Sequence, residues 1–312
     1  MGLRFLAEAV ENPGNRHRIA DAADLLGGSC TAAPDGHLIA VENTPRARSI
    51  YGRAALRGVA TLALGHERRG VPRALLAAAD ETVAIPTVSR TVTTLNVAAA
   101  AAVAGWYVRS GCGPQAVAQH PARRRPAVLL SGDDHVEVGS SLRSAAALGL
   151  REVFLDDRGA DWFDGPPALR REARAAARRH KNPLHVRRAS PGLADGFEEI
   201  VVVSPAGPGR AITRQPLARG RRQLVVIGAG PEQVAALPGG RLRVATLGLR
   251  EMASAPPLRL IASIALAEIA RQVGRPPGGP ASAPRAAAYE RELKLVADGE
   301  LLAIDPAVLL TY

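Results

Sequence analysis

The stretch LALGHERRGVP, Leu62 to Pro72, reads as a buried strand that stops at Gly65, a charged turn, and a helix opened by Pro72. Proline suits a first helical turn because its missing N–H has no partner there anyway. Strand, turn and helix in that order make the repeating unit of a parallel α/β protein, whose ligands gather at the carboxyl ends of the strands. The pattern continues outward in both directions. Strands are expected at Leu3 to Val10, His37 to Glu42, Val59 to Leu64 and Thr82 to Ile85, with helices near Asn15 to Gly27, Pro72 to Ala78 and Thr93 to Arg109. It breaks at SGCGPQAVAQHPARRRP, Ser110 to Pro126, where glycine, proline and arginine mark an exposed linker. Strands resume at Ala127 to Leu130, Glu152 to Leu155, Glu199 to Val203, Gln223 to Ile227 and Leu242 to Thr246. Their helices lie near Val138 to Leu148, Pro167 to His180 and Leu258 to Val273. A second Pro/Gly stretch, Gly274 to Pro284, sets off a tail with a short hairpin around Asp298-Gly299.

Composition bounds the answer. A chain of 312 residues with 47% hydrophobic and 22% charged residues buries a full core, which excludes wholesale disorder and a fibrous repeat. The net charge of +11 is carried by arginine, Lys181 and Lys294 being the only lysines; it permits a phosphate-rich partner without requiring one. Cys30 and Cys112 are too few for a disulfide framework or a zinc site, and the seven histidines show no ligand spacing, so no metal is expected. No run approaches the roughly 18 apolar residues of a membrane span, and the acidic residues in MGLRFLAEAVENPGN spoil it as a signal peptide. The cytoplasm is the expected compartment.

The chain also repeats itself. NRHRIADAADLLG, Asn15 to Gly27, aligns without a gap on EVGSSLRSAAALG, Glu137 to Gly149, at a separation of 122. TLALGHERRGVP aligns on LVVIGAGPEQVA, Gly65 over Gly228, and LNVAAAAAV on LRLIASIAL, Leu95 over Leu258, both at a separation of 163. The second copy therefore holds 41 extra residues between its parts (163 − 122), an insertion that loops tolerate. GAGPEQV is a poor dinucleotide fingerprint, because Gln233 stands at the third glycine position.

Three spaced signals in the first copy, NPGN(x)11G, LALGHERRGVP and IP(x)8LNVAAAAAV, resemble the motifs of the SPOUT superfamily of S-adenosylmethionine-dependent RNA methyltransferases, in its SpoU/TrmH-type branch. The resemblance covers Leu3 to about Val108. It implies an α/β trefoil-knot fold, S-adenosylmethionine as cofactor, and 2′-O-methylation of ribose in ribosomal or transfer RNA. Carried over residue by residue, Leu64, Gly65, His66, Glu67, Gly70, Ile85, Pro86, Thr94, Leu95 and Asn96 would wrap the cofactor, with His66 in place of the more usual asparagine.

One departure from the family pattern matters more. The first motif pairs an asparagine with an arginine six residues on, and here Asn15 is followed by Asp21. An acid repels the RNA backbone. The second copy has the complementary defect: Arg143 is present, but Glu137 replaces the asparagine, Gly230 the glutamate and Arg259 the loop asparagine. In the family the arginine reaches the cofactor of a partner subunit. The expectation is thus two tandem SPOUT-like domains, residues 1–112 and 127–274, joined by a linker at 113–126 and followed by a tail at 275–312. They would form an intramolecular pseudo-dimer, monomeric in solution, with one composite site.

In that site Arg143 clamps a phosphate and polarises the hydroxyl, with Asn15 and Asn96 beside it, unless it is an ordinary helix arginine reaching solvent. Glu137 is either the base or an acid favoured by a helix dipole. Arg170, Arg171, Arg174 and Arg178 form either a phosphate-tracking stripe or a solvated face, and Arg123 to Arg125 make a second basic stretch. With 3% aromatic residues a stacking platform is not expected. A catalytically silent RNA- or cofactor-binding relative, and a small-molecule methyltransferase, are the alternatives.

Overall fold

A computed structural model describes residues 2–87, 94–112, 125–162, 185–217 and 221–273. The first half runs β1 (Gly2–Leu6), α1 (Pro13–Leu25), β2 (Ser29–Thr31), β3 (His37–Val41), β4 (Arg48–Ser49), β5 (Val59–Leu64), α2 (Arg73–Ala78), β6 (Glu81–Ala84) and α3 (Val97–Ser110). The second runs β7 (Ala127–Ser131), α4 (His135–Ala147), β8 (Glu152–Asp156), β9 (His185–Arg188), β10 (Glu199–Ser204), β11 (Arg210–Ala211), β12 (Gln223–Ile227), α5 (Pro231–Ala235), β13 (Leu242–Thr246) and α6 (Leu258–Val273).

Among the described residues all strand pairs are parallel and fall into two sheets, ordered β2-β1-β5-β3-β6-β4 and β11-β13-β10-β12-β7-β8-β9. Read from its other end, the second sheet is β9 followed by β8-β7-β12-β10-β13-β11, which reproduces the first sheet's order element for element. The added edge strand β9 lies in the 41-residue insertion read from the repeat separations.

Strands buried on both faces explain the near-continuous apolar runs. Phe5, Ile39 and Leu62 face one core while Leu6, Leu38, Ala40 and Ala63 face another; in the second sheet Val128, Val201 and Val225 alternate with Leu129, Val202 and Val226 in the same way. The inner faces of both sheets share one continuous core with α1, α3, α4 and α6, in which α3 packs on α6, α1 on α3 and α4 on α6. The alanines of α3 permit this: Ala98, Ala99, Ala101, Ala102 and Ala104 are fully buried, and a β-carbon on Gly105 would strike Phe5 and Leu26. Polar pairs fasten the two halves. Trp106 Nε1 donates to the Leu247 carbonyl at 2.8 Å, and the Tyr107 hydroxyl donates to Glu268 at 2.7 Å. Glu268 also receives Arg271 through two bonds of 2.8 and 2.6 Å. Burial, and then the nearby Glu268 carboxylate, keep the Tyr107 hydroxyl protonated far above its usual range.

The helix expected at Thr93 to Arg109 begins only at Val97, because Asn96 caps it. The β1 strand ends at Leu6, short of Val10, where the chain turns toward α1. The short strands β2, β4, β9 and β11 carry no alternation long enough to read. The Pro167–His180 helix with Arg170, Arg171, Arg174 and Arg178, linker residues 113–124 and the tail lie outside the described residues; of the basic stretch Arg123–Arg125, Arg125 is described and donates to the Gly149 carbonyl. Among the described residues no helix is long and apolar enough to cross a membrane.

Candidate functional site

At the carboxyl ends of β3, β5 and β6 the chain forms a cleft of about 150 Å3, partly open to solvent. Its walls are Val41 to Asn43 after β3, the turn from Gly65 to Gly70 after β5, Ala84 and Ile85 at the end of β6, and Thr94 to Val97 with Ala100 at the start of α3. Arg143, from α4 of the second half, completes it, its Nη2 donating to Thr94 Oγ1 at 3.3 Å.

The turn after β5 is a small hairpin closed by reciprocal backbone bonds of 2.9 Å between His66 and Gly70. His66 does the work of a turn asparagine: its Nδ1 accepts the backbone N–H of Arg68 at 2.9 Å and of Arg69 at 3.3 Å. That leaves the ring proton on Nε2, 3.0 Å from Glu11. Gly70 has φ +73°, and a β-carbon there would collide with the Glu42 carboxylate. Glu42 in turn accepts the N–H of Val71 at 2.7 Å and of Asn43 at 3.0 Å, so it ties the end of β3 to the turn.

Behind the wall lies a relay of amides whose orientation is dictated at both ends. Asn96 Oδ1 accepts the helix N–H groups of Ala98 at 2.9 Å and Ala99 at 3.4 Å, which leaves its Nδ2 to donate to Asn15 Oδ1 at 3.0 Å. Asn15 Nδ2 then donates to Glu67 Oε1 at 2.9 Å, and a carboxylate only accepts. Glu67 also receives the backbone N–H groups of Asn12 at 3.2 Å and Glu11 at 3.3 Å. Burial pushes the Glu67 carboxyl up, but the Asn15 amide and these backbone donors outweigh it and hold the group below its ordinary value.

The cleft thus gathers Gly65, His66, Glu67, Gly70, Ile85, Thr94, Leu95, Asn96 and Arg143. Four expected site residues stand elsewhere. Leu64 is 2% exposed and packs into the core, since the last strand residue before the glycine points inward. Pro86 is not among the lining residues. Asn15 is wholly buried, one contact behind the lining. Glu137 is 5% exposed and occupied by cations: it accepts Arg18 Nε at 2.8 Å, Arg259 Nε at 2.9 Å and the Arg259 backbone N–H at 3.0 Å. A carboxylate held this way is no free base facing the cleft. Burial works against the Arg18 charge, but Asp21 and Glu137 more than compensate and raise its pKa. Glu42, Asn43 and Arg68 line the cleft without having been singled out; Glu42 and Asn43 follow β3 directly, so the rule that ligands bind where parallel strands end was the available signal. Among the described residues no cluster of His, Cys, Asp and Glu is arranged to hold a metal.

Residues 17–106 match the model of the SpoU rRNA Methylase family. Among solved structures, the chain is similar to the SpoU methyltransferase AviRb from Streptomyces viridochromogenes in complex with AdoMet, at 20% identity and a TM-score of 0.36; the match covers 50% of this chain and 62% of that one. It is also similar to a putative RNA methyltransferase of the TrmH family from Porphyromonas gingivalis, at 18% identity and TM-score 0.34 over 63% and 78% of the two chains. A third is an rRNA methyltransferase from Sinorhizobium meliloti, at 13% identity and TM-score 0.36 over 70% and 73%. No curated protein matches the chain.

Proposed function

We propose that this chain, whose residues 17–106 match the SpoU rRNA Methylase family model, is an S-adenosylmethionine-dependent RNA methyltransferase with one composite site. The observation that carries the reading is Arg143: a cation from the second half stands in the wall of a cleft otherwise built by the first. The equal strand order of the two sheets supports reading them as copies of one unit, paired within a single chain that works as a monomer. On this reading, the turn at 64–70 and the described residues 85–87 and 94–96 belong to the knot that the family resemblance implies.

The cleft suits this cofactor chemically. Ala84, Ile85, Leu95, Val97 and Ala100 give an apolar lining that suits an adenine ring, and Glu42 and Glu67 supply negative charge compatible with a sulfonium. Close-packed glycine backbone at Gly65, where a β-carbon would meet Gly70 and Val71 at under 2.5 Å, makes a thin wall with no side chain in the way. The bound cofactor supplies an electrophilic methyl group.

The chain's own part is positioning and electrostatics. Arg143, permanently charged, binds a phosphate of the RNA and polarises the ribose 2′-hydroxyl beside the cleft. Asn96 fixes the start of α3, and the Asn15–Glu67 bond fixes the turn opposite, so the two cleft walls keep their spacing. Exposed Arg16, Arg68 and Arg73 near the same strand ends add positive charge that suits ribosomal or transfer RNA.

Calorimetric titration with S-adenosylmethionine tests the reading. One site per chain, weakened by Asn96→Ala, together with methyl transfer to ribose in an RNA transcript that Arg143→Ala abolishes, is the expected result. Two sites per chain, or turnover that survives Arg143→Ala, overturns the composite site. Absence of cofactor binding overturns the methyltransferase.

A further inference from the structure

The place in the second half that corresponds to the Asn96–Asn15 contact holds an ion cluster. Asn96 corresponds to Arg259 (96 + 163) and Asn15 to Glu137 (15 + 122), and these two are again in contact, now as ions. Arg259 is 2% exposed and closes on Glu137 with both its backbone N–H and its Nε. Arg18 of α1 crosses from the first half to the same carboxylate at 2.8 Å, and its Nη1 is held by Asp21 at 2.8 Å. Asp21 is the position that corresponds to Arg143 (21 + 122). Two arginines and two acids thus balance in charge, and the carboxylate of Glu137 joins α1, α4 and the start of α6.

A buried carboxylate with two cations on it is a rigid joint, since leaving either ion without its partner is strongly unfavourable. The joint sits in the first turn of α4, and Arg143 lies six residues further along the same helix, about 9 Å at 1.5 Å per residue. From that position α4 delivers the Arg143 guanidinium to Thr94, on the wall of the first-half cleft.

We propose that Glu137 is a positioning residue: clamped between Arg18 of the first half and Arg259 of the second, it sets the register of α4 that brings Arg143 into the cleft beside Thr94. The degenerate half then has a definite task, to aim one cation. This inference rests on the reading of Arg143 given above, and its test carries a readout independent of turnover.

Glu137→Gln keeps the size and removes the charge. It should lower kcat for RNA methylation at least about tenfold, as expected when a group is displaced by a fraction of an ångström to 1 Å, while the calorimetric Kd for S-adenosylmethionine stays within about twofold. In an Arg143→Lys background the same change should add less than about twofold, because a residue that acts through another shows non-additive effects. The double variant Glu137→Asn with Arg259→Asn copies the neutral Asn15–Asn96 pair and should restore kcat to within about threefold of the parent. Independently of activity, the Arg143 Nε–H resonance of the 15N-arginine-labelled chain, identified through Arg143→Lys, should move in Glu137→Gln and return in the double variant.

An unmoved resonance in Glu137→Gln overturns the proposal, as does a full additive loss in the Arg143→Lys background, which would make Glu137 an independent catalytic group. A resonance that moves and returns in a chain showing no methyl transfer sustains the positioning and refutes the methyltransferase instead. If Glu137→Gln does not fold, the double variant decides: a parent-like resonance supports the clamp, and a displaced one overturns it.

Discussion

Asn96→Asp isolates the amide relay from the helix cap, because it keeps one and breaks the other. The new side chain still offers an oxygen to the Ala98 and Ala99 N–H groups and, as an anion at a helix N-terminus, gains about 0.3–1 kcal/mol. It no longer donates to Asn15 Oδ1, which lies in a fully buried residue; an acceptor deprived of its donor there costs about 1–3 kcal/mol. Asn15 cannot turn its amide round to compensate, since its carbonyl would then face the Glu67 carboxylate. The net is a loss of about 1–2 kcal/mol near neutral pH, or a few degrees in Tm.

The pH dependence gives the sharper signature. A carboxyl placed against a carbonyl has its folded pKa raised, so the destabilisation exists above that pKa and is relieved as pH falls through it, when the protonated form regains a donor. Thermal unfolding followed by circular dichroism from pH 8 to pH 5 should show the gap between parent and variant closing toward the acid side. Asn96→Ser should show a gap that does not close, and Asn96→Ala a gap larger by about 1 kcal/mol for the lost cap. A variant as stable as the parent, or a deficit independent of pH, refutes the directional relay.

Three further outcomes follow from the same structure. Glu67 has a folded pKa below the unfolded 4.5, so its contribution is complete above that value and disappears as pH falls through the lower folded one; Glu67→Gln should flatten this acid limb of a stability–pH profile. Tyr107→Phe removes a buried bond to the Glu268 carboxylate between the two halves and should cost about 1.5–3 kcal/mol, read as a lower urea midpoint. Gly70→Ala forces a β-carbon into the left-handed region against Glu42 and should weaken cofactor binding by calorimetry more than Arg73→Ala, a change at an exposed residue outside the cleft.

Much of the protein was legible in local patterns. Apolar runs ending in glycine located β5 and β12 to the residue, and alanine-rich spacing located α6 from Leu258 to Val273, because strands buried on both faces and helices packed at close range leave strong compositional traces. Motif spacing brought most of the cleft together, since loops at the ends of neighbouring parallel strands must converge. Two-residue strands such as β4 and β11 left no such trace; neighbours in the sheet define them.

The family resemblance carried Arg143 to the first-half cleft; what the linear order withheld was the set of charge partners around Glu137. Asp21, Glu137 and Arg259 read singly as lost motif positions, and Glu137 as a base or a helix-end acid, because nothing in a string of residues says which buried charge meets which. Only the packing of α1 and α4 against α3 and α6 brings Arg18 and Arg259 onto one carboxylate and Arg143 onto Thr94. A charge in low dielectric takes its role from the groups within a few ångströms of it, and those neighbours are set by tertiary contact rather than by distance along the chain.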